Sequence, residues 1–314
     1  MALVHSAEAP VAAIIVSYNS AEELPALLRS LAASTIDVHV IVVDNGSTDA
    51  SVEVARTFEH VTVVPTGANL GYSGGINAGR ERVRDGQAVA ILNPDLVVAP
   101  DALERMLDET RQSEVGVVGP MVRNLDGSRF DSVRHEPSLC GAIGEALFGA
   151  RWRARPSLLA EVEYRHGSYL EAHDADWLSG AALLVRADCA RAVGDWDAES
   201  FFLYSEETDF ARRARAAGYR VRYTPHAVVT HVGGASGQSS ALTALLEVNR
   251  LRYVQKHRGA AYARAYRVVL ALGCALRAFR SSHRHALATL LSRARWSTLP
   301  AASAATATTA TTAT

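Results

Sequence analysis

The first 120 residues alternate short apolar runs with segments of helical spacing. The first run, residues 11–16, is apolar at every position, as expected of a strand buried on both faces of a sheet. Similar runs follow at residues 38–43, 61–64, 88–92 and 115–118. Strands and helices in regular alternation connect parallel strands through right-handed crossovers. We therefore expect an α/β fold, a doubly wound and mainly parallel sheet with helices on both faces.

Residues typical of helix N-termini occur between these strands. Ser20, with Glu23 three residues later, forms a predicted capping box for a helix whose apolar stripe spans residues 24–31. A further helix is expected after the glycines at 74–75, and another is expected to open at residues 100–101.

Composition excludes several classes of protein. At 314 residues the chain is long enough for one large α/β domain with an appendage. A formal net charge of -1 gives no bulk attraction to nucleic acid, so we expect no nucleic-acid partner. Lys256 is the only lysine, which rules out a Gly-Lys-Ser/Thr phosphate loop.

Cysteine spacing and hydropathy predict a cytoplasmic protein. Cys140, Cys189 and Cys274 are far apart and have neither paired nor metal-ligand spacing, which favours a reducing compartment. The N-terminus lacks a basic segment followed by an apolar one, and no stretch reaches the roughly 18 consecutive apolar residues of a membrane span.

The turn after the first strand argues against a dehydrogenase. A dinucleotide fold needs Gly-x-Gly-x-x-Gly there, whereas this chain has Ser17, Tyr18 and Asn19. Such a polar turn could hold the edge of a nucleotide base through backbone groups, with Tyr18 beside the ring. A simple capped turn explains the same residues.

Polar residues also follow the later strands, where ligands bind in parallel sheets. Asp44 ends a buried run, where a carboxylate is costly unless it is hydrogen-bonded or liganded, so we expect it to contact the base or ribose of a donor. The alternative is a helix or turn cap, for which Asp49 is better placed. The glycine-dense segment 69–79 suits close backbone approach to a ligand, although a tight loop alone would explain it.

Two further segments carry isolated carboxylates. Asp95 stands in the sequence NPD at 93–95, and Glu207 in FFLYSEETDF at 201–210. Together they suggest a divalent metal held on a diphosphate and a base for an incoming hydroxyl. That combination is typical of a sugar-transfer site.

Taken together in their order along the chain, these motifs resemble those of the inverting nucleotide-sugar glycosyltransferases of family 2, which have the GT-A fold. Within that family they resemble the rhamnosyltransferase-like group. The resemblance spans residues 10–235, and the co-occurrence of the motifs is specific where any one alone would be weak. The matching segments are residues 15–19, 42–49, 69–79, 93–95, 178–181, 193–197, 204–210 and 231–233.

The resemblance implies a metal site. Asn93 and Asp95 match the first and last positions of the family's Asp-x-Asp motif, which leaves Asp95 as the charged ligand of Mn²⁺ or Mg²⁺. Few protein ligands are needed when diphosphate oxygens fill the remaining positions. His231 matches a family histidine that can complete the shell, and an imidazole favours Mn²⁺. A lone histidine is otherwise most often a surface or core residue.

The resemblance also implies a catalytic base. Glu206 and Glu207 occupy the place of the family's Glu-Asp pair, so that Glu207 aligns with the base and Glu206 is its substitute. The alternative is a solvated helix start. Asp209, paired with Arg212 or Arg213 at helical spacing, suits that structural role better.

The resemblance also implies donor and acceptor residues, from their positions in the family motifs. The acceptor is expected to be a glycan or a lipid-linked glycan, and Trp177 and Trp196 flank its region in the family pattern, where each ring could stack on a sugar or fill the core. The donor is expected to be a dTDP-, UDP- or GDP-linked sugar. Its predicted contacts are Ser17, Tyr18, Asn19, Asp44, Asn69, Gly71 and Asn93.

Beyond residue 240 the chain becomes strongly basic. Residues 241–299 carry eleven basic residues against one acidic residue, Glu247, which predicts amphipathic helices lying on an anionic membrane at the inner face of the plasma membrane. A helical cap on a catalytic domain of residues 1–240 is the alternative. The alanine- and threonine-rich residues 300–314 are predicted to be disordered.

Two other classes remain open on the sequence alone. A sugar-phosphate nucleotidyltransferase also combines an α/β sheet with metal-binding carboxylates, but it typically has a basic, glycine-rich signature after the first strand. A non-catalytic nucleotide-sugar binding module would not need Asp95, Glu207 and His231 together.

Overall fold

The computed structural model describes residues 9–112, 114–232 and 239–302. Its strands are β1 (Val11–Ser17), β2 (Val38–Asp44), β3 (Val61–Pro65), β4 (Ala88–Leu92), β5 (Leu96–Val98), β6 (Val115–Asn124), β7 (Val133–Arg134), β8 (His173–Ala175), β9 (Trp177–Leu178), β10 (Ala182–Val185) and β11 (Arg220–His231). Its α-helices are α1 (Leu24–Ala32), α2 (Ser51–Arg56), α3 (Gly71–Arg80), α4 (Ala102–Glu109), α5 (Leu139–Leu147), α6 (Ala187–Val193), α7 (Glu206–Ala216), α8 (Ser240–His257), α9 (Ala260–Leu276) and α10 (Ser281–Leu291). Residues 303–314, most of the predicted tail, lie outside the described ranges.

The main sheet has the order β3-β2-β1-β4-β10-β6-β11-β5, and β8 pairs with β11 outside this path. Within the described ranges, six of its nine strands point in one direction, and β5, β8 and β10 oppose them. The predicted α/β fold with a mainly parallel sheet is confirmed. The antiparallel β10, inserted between β4 and β6, did not follow from the strand pattern of the first 120 residues.

Side chains of the sheet alternate between two cores. In β1, Val11, Ala13 and Ile15 face the side covered by α1 and α4, whereas Ala12 and Ile14 face the side covered by α3, α6 and α7. Helices therefore cover both faces, which explains why β1 is apolar at every position from 11 to 16.

Two helix starts differ from the sequence prediction. The first helix begins at Leu24, and Ser20 does not cap it, because the Ser20 hydroxyl donates its hydrogen bond to the Tyr18 carbonyl. Pro25 occupies the first turn of this helix, for which its fixed φ is suited. The helix expected after residues 74–75 begins earlier, at Gly71. Gly75 lies inside it, where a Cβ would come within 2.6 Å of the Val16 side chain.

The predicted C-terminal helices are present as α8, α9 and α10. Their apolar side chains form a third core that includes Phe201, from the segment before α7, and Ala142 of α5. A buried ion-pair cluster also joins α7 to α8, with Asp209 as its centre and Lys256 and His257 each 2.7 Å away. In the described part of the chain, no helix combines the length and apolar character required to cross a bilayer.

Candidate active site

The loops after β1 and β2 meet at the carboxyl edge of the sheet. Ser17 and Asp44 are register partners at the ends of these strands, and both are buried. An Asp44 carboxylate oxygen accepts a 3.4 Å hydrogen bond from the Ser47 backbone N–H. Asp49 accepts bonds from Ala21 and Ser51, in line with the capping role expected of it. Donor contact by Asp44 remains a prediction.

The Tyr18 ring is half exposed at this edge, where it could lie beside a nucleotide base. Its neighbour Asn19 has a left-handed backbone, with φ of 51°. The Asn19 side-chain oxygen accepts a 2.8 Å bond from the Thr48 N–H, and the Ser47 hydroxyl accepts one of 3.0 Å from the Asn19 N–H. Asn19 therefore ties the two loops together.

The glycine-dense segment braces this edge from a third side. The Asn69 side-chain oxygen accepts bonds from Asn45 and from the Gly71 N–H. Gly71 has φ of +77°, and a Cβ there would overlap the Phe202 carbonyl. The next N–H, that of Tyr72, donates a 2.7 Å bond to the same carbonyl. This close approach attaches the loop to the segment that precedes the two predicted catalytic glutamates.

Asp95 and His231 lie side by side across the β5–β11 pair. His231 is the register partner of Leu96, which brings its Nε2 to 3.0 Å from one carboxylate oxygen of Asp95. The other Asp95 oxygen is buried and has no hydrogen-bond partner. Within the described ranges, no cluster of three or more histidine, cysteine or acidic side chains could hold a metal. An orphaned carboxylate oxygen beside an imidazole fits a cation whose remaining ligands come from a diphosphate.

Glu206 and Glu207 form the first turn of α7, where Glu206 is buried and Glu207 half-buried, which argues against a solvated helix start. Each has one buried carboxylate oxygen without a partner. Burial, and then the neighbouring Glu207, raises the pKa of Glu206 well above its usual range. Burial also raises the pKa of Glu207, although backbone N–H groups and Arg134 favour its charged form. Of the two arginines predicted to pair with Asp209, it is Arg213 that does so, at 2.7 Å.

Tyr72 joins the two groups of acidic residues. Its hydroxyl donates a 2.9 Å bond to the Asn93 side chain. Burial, followed by the charges of Glu206, Glu207 and Asp95, raises the pKa of Tyr72 well above its usual range, so its hydroxyl stays protonated as a donor. The sequence prediction missed this residue, although it lies in the glycine-dense segment, because nothing in that segment distinguished a site tyrosine from a core one.

A cavity of about 410 Å³ opens beside Glu207. Around this carboxylate the cavity is lined by Trp177 and Arg134, whose guanidinium lies 5.8 Å from the Trp177 ring. Trp196, by contrast, is 3% exposed and stacked on Phe210 with ring centroids 4.4 Å apart. Of its two predicted roles, the structure supports core filling, because the ring face is already covered. Arg134 was missed, since its two-residue strand β7 leaves no pattern in the sequence.

Comparison with known proteins places this chain in a family. The family model described as "Glycosyl transferase family 2" matches residues 12–168. The chain is also 36% identical over 235 residues to the N-acetylglucosaminyl-diphospho-decaprenol L-rhamnosyltransferase of Mycobacterium tuberculosis. The matched region covers 69% of this chain and 74% of the relative. The chain belongs to glycosyl transferase family 2. The resemblance seen in its motifs is confirmed, and the protein is a glycosyltransferase.

A second relative has a lower identity. This glycosyltransferase is 28% identical over 210 residues to the low-salt glycan biosynthesis hexosyltransferase Agl10 of Haloferax volcanii, over 64% of this chain and 60% of the relative.

Solved structures support the GT-A fold. The mannosyltransferase PcManGT from Pyrobaculum calidifontis, in complex with GDP-Man and Mn²⁺, superposes with a TM-score of 0.57 at 16% identity, covering 92% of this chain and 83% of the other. S. aureus TarS 1–349 in complex with UDP superposes with a TM-score of 0.51 at 15% identity, covering 83% of this chain and 69% of the other. At these identities the likeness establishes the fold alone.

Proposed function

We propose that the protein is an inverting, metal-dependent glycosyltransferase that moves a sugar, with rhamnose as the first candidate, from a nucleotide diphosphate to a hydroxyl of a lipid-linked glycan. The observation that carries this proposal is the convergence of Asp95, Tyr72 and Glu207 at the carboxyl edge of the sheet, with Glu207 opening on a cavity. The name of the mycobacterial relative supports both rhamnose and a lipid-linked acceptor.

The donor side of the proposal uses the edge formed by β1, β2 and β4. The nucleoside of a dTDP-, UDP- or GDP-sugar would lie beside Tyr18, above the buried Ser17 and Asp44. Asn19, Asn69 and Gly71 hold the surrounding loops through the hydrogen bonds described above. The complexes of PcManGT with GDP-Man and of TarS with UDP are consistent with nucleotide binding at a site of this kind.

Asp95 and His231 would hold Mn²⁺ or Mg²⁺ on the donor diphosphate. The two side chains already lie 3.0 Å apart, and the unpartnered oxygen of Asp95 is available as a ligand. Such an ion supplies positive charge where the leaving diphosphate becomes more negative. Asn93, held by the Tyr72 hydroxyl, would line the same region.

Glu207 would act as the base. In a single displacement the acceptor oxygen forms a bond to the anomeric carbon as the bond to the diphosphate breaks, and the hydroxyl proton passes to the Glu207 carboxylate. A base works best when its pKa lies near the working pH, and burial raises the pKa of Glu207 in that direction. Glu206 is the substitute, although Glu207 is the one of the pair that lines the cavity.

The acceptor would lie in the cavity, with Trp177 as the ring on which its sugar stacks. The basic segment 241–299 would hold the enzyme on the anionic inner face of the plasma membrane, where a lipid-linked acceptor is found. Exposed arginines such as Arg264, Arg280 and Arg284 are available for this contact.

One experiment tests the central proposal. UDP-, dTDP- and GDP-sugars are screened for thermal stabilisation of the protein with and without Mn²⁺, because a bound donor raises stability by mass action. The stabilising donor is then offered with a lipid-linked sugar acceptor, and the anomeric configuration of the product is read by NMR. An inverted product is expected, whereas a retained configuration would exclude the single displacement.

A further inference from the structure

The backbone of Arg134 is fixed at the edge of the cavity. Arg134 ends the short strand β7, where it is the register partner of Trp177 on β9, and it forms a further bridge to Val162. Side chains directly opposite each other in an antiparallel pair lie on the same face, and both of these side chains line the cavity beside Glu207. The indole N–H of Trp177 donates a 2.9 Å hydrogen bond to the His135 carbonyl, so the ring is held as well. The cavity is thus presented with a flat ring and a cation side by side.

The Arg134 guanidinium has no anionic partner among the described residues. It forms no ion pair or hydrogen bond there, and its buried Nε has no acceptor. Its neighbours are the rings of Trp177 and Phe130, whose centroids lie 5.8 and 5.9 Å from the guanidinium carbon. Burial raises the pKa of Glu207 and the nearby charge of Arg134 opposes that shift, although the two groups do not approach within ion-pair distance. A half-buried guanidinium with all its N–H donors unused is costly unless a ligand supplies the anion.

The other arginines that line the cavity, in the described part of the chain, already have partners. Arg250 is paired with Glu161 at 2.6 Å and with Glu247 at 3.0 Å. Arg277 donates its hydrogen bonds to backbone carbonyls of α5 and of its own helix. Arg134 is therefore the arginine of this lining that is available to an anionic ligand.

The place of Arg134 indicates which part of a ligand carries that anion. A sugar that stacks on Trp177 with one hydroxyl at Glu207 has its anomeric substituent one sugar ring away from that hydroxyl. In the name of the mycobacterial relative, a diphosphate joins the anomeric carbon of N-acetylglucosamine to the lipid. The planar fork of a guanidinium donates two parallel hydrogen bonds to a phosphate, which makes arginine well suited to such a group.

The donor diphosphate is the other phosphate near this region. The Phe130 ring beside Arg134 also meets His231 edge to face, with ring centroids 6.3 Å apart. Among the described residues, however, Arg134 lines the cavity and the proposed metal ligands Asp95 and His231 do not. The lining therefore favours the acceptor phosphate, and the test must separate it from the donor phosphate.

We propose that Arg134 binds the phosphate on the anomeric carbon of the acceptor sugar, while a hydroxyl of the same sugar meets Glu207. Arg134 thereby selects sugar phosphates over neutral glycosides. The role rests on the proposed function, in that the bound molecule is the glycosyl acceptor. Binding of a sugar phosphate can be measured without transfer, so the two can fail separately.

The transfer test compares two acceptors that share N-acetylglucosamine and an octyl group, joined by a diphosphate in one and directly, as an uncharged glycoside, in the other. The wild type should have a KM for the diphosphate acceptor about tenfold or more below that for the glycoside, as expected of charge-assisted hydrogen bonds. In Arg134→Gln this preference should disappear. The matched control is Arg82→Gln, an exposed arginine just after α3, which should keep it. A merely structural role of Arg134 would affect both acceptors alike and leave the preference unchanged.

A binding test separates this site from the catalytic proposal. In calorimetry without donor, Arg134→Gln should bind the diphosphate acceptor at least about tenfold more weakly than wild type and Arg82→Gln do. UDP, dTDP and GDP are titrated in parallel with Mn²⁺ present, and their affinities should be the same in the two variants. Absence of transfer to either acceptor, with this binding pattern intact, would refute the proposed function and leave the phosphate site standing.

Three results would overturn the phosphate site. They are equal KM values for the two acceptors in the wild type, an unchanged preference in Arg134→Gln, and a loss of nucleoside diphosphate affinity in that variant as large as its loss of acceptor affinity. The last result would assign Arg134 to the donor. If Arg134→Gln does not fold, as judged by its melting transition, Arg134→Met decides by the same comparison, because it keeps an unbranched stem beside Trp177 and Phe130 without the charge.

Discussion

Asn249 holds the carbonyl of Tyr204 from the other end of the chain. The side-chain amide of this fully buried residue on α8 donates hydrogen bonds of 2.8 Å to the Leu203 carbonyl and 3.2 Å to the Tyr204 carbonyl. Tyr204 and Ser205 both have left-handed backbones, with φ of 73° and 71°, directly before Glu206. Because side chains disfavour this conformation, the contact from α8 supports the turn that aims both glutamates.

Replacing Asn249 with leucine should therefore impair both stability and turnover. Two partly buried carbonyls lose their donor, which we expect to cost about 2–4 kcal/mol of unfolding free energy. The turnover number should fall by about tenfold or more while donor Kd is unchanged, because the glutamates are displaced and the donor edge is not. Gln255→Leu, at an exposed position of the same helix, is the control. Equal kcat values in the two variants would refute the positioning role.

Asp95→Ala should abolish metal-dependent transfer, and His231→Ala should weaken Mn²⁺ affinity by about 10- to 100-fold. The two proposed ligands lie at one end of the β5–β11 pair, so each loss would leave one protein ligand. Mn²⁺ affinity is measured by calorimetry with donor present, alongside Asp85→Ala as an exposed aspartate control. Normal turnover of Asp95→Ala would end the assignment, and an unchanged titration for His231→Ala would remove the histidine from the site.

Glu207→Gln should lower kcat by roughly 10²- to 10⁴-fold, the usual effect of removing a positioned base, with little change in donor Kd. Glu207→Asp should also be impaired, because the shorter side chain withdraws the carboxylate from the cavity. If Glu206 is the base, the pattern reverses and Glu206→Gln loses turnover instead. Glu199→Gln, an exposed glutamate before the same helix, should behave as wild type.

Glu206→Gln should stabilise the protein at neutral pH. The folded-state pKa of Glu206 is raised above its ordinary value near 4.5, so the protonated form is favoured by folding. That contribution is fully present below pH 4.5 and is lost as pH rises through the folded-state pKa. The gain in Tm should be absent near pH 4 and should grow to a few degrees at pH 7, measured by calorimetry across that range. A gain independent of pH would show that the buried charge is not its cause.

Reversing the charge of exposed arginines should weaken binding to anionic liposomes. Each basic residue near such a surface contributes about 1 kcal/mol, which salt screens within a Debye length. Arg264→Glu with Arg280→Glu should reduce co-sedimentation at low salt, whereas Arg277 and Arg284 are avoided because each donates hydrogen bonds to backbone carbonyls. Reversal of Arg56, at the end of α2, is the control. Unchanged co-sedimentation would favour the helical-cap alternative for residues 241–299.

Local sequence patterns predicted the strands of the first half and the loop residues that follow them, because burial on both faces leaves continuous apolar runs. Asp95 and Glu207 could be named because their segments match motifs of the family, and Asp44 because a carboxylate that ends a buried strand is costly without a partner. Trp196 could not be distinguished from Trp177, since a ring that stacks on Phe210 and one that lines a cavity look alike in sequence. The contacts of Asn249 and Arg134 depend on packing between segments far apart in the chain, which no local pattern encodes.

The cavity is assembled from residues between 134 and 283, whereas the donor edge comes from the first hundred residues. The family model, at residues 12–168, covers the donor edge and α5 but ends before α7, α8 and α9, which supply much of the cavity lining. On the proposed assignment, substitutions on α9 can change which acceptor fits without disturbing the nucleotide. Two chains that match the family equally well can thus differ in the product they make, and exchanging their C-terminal helices would be expected to transfer acceptor preference.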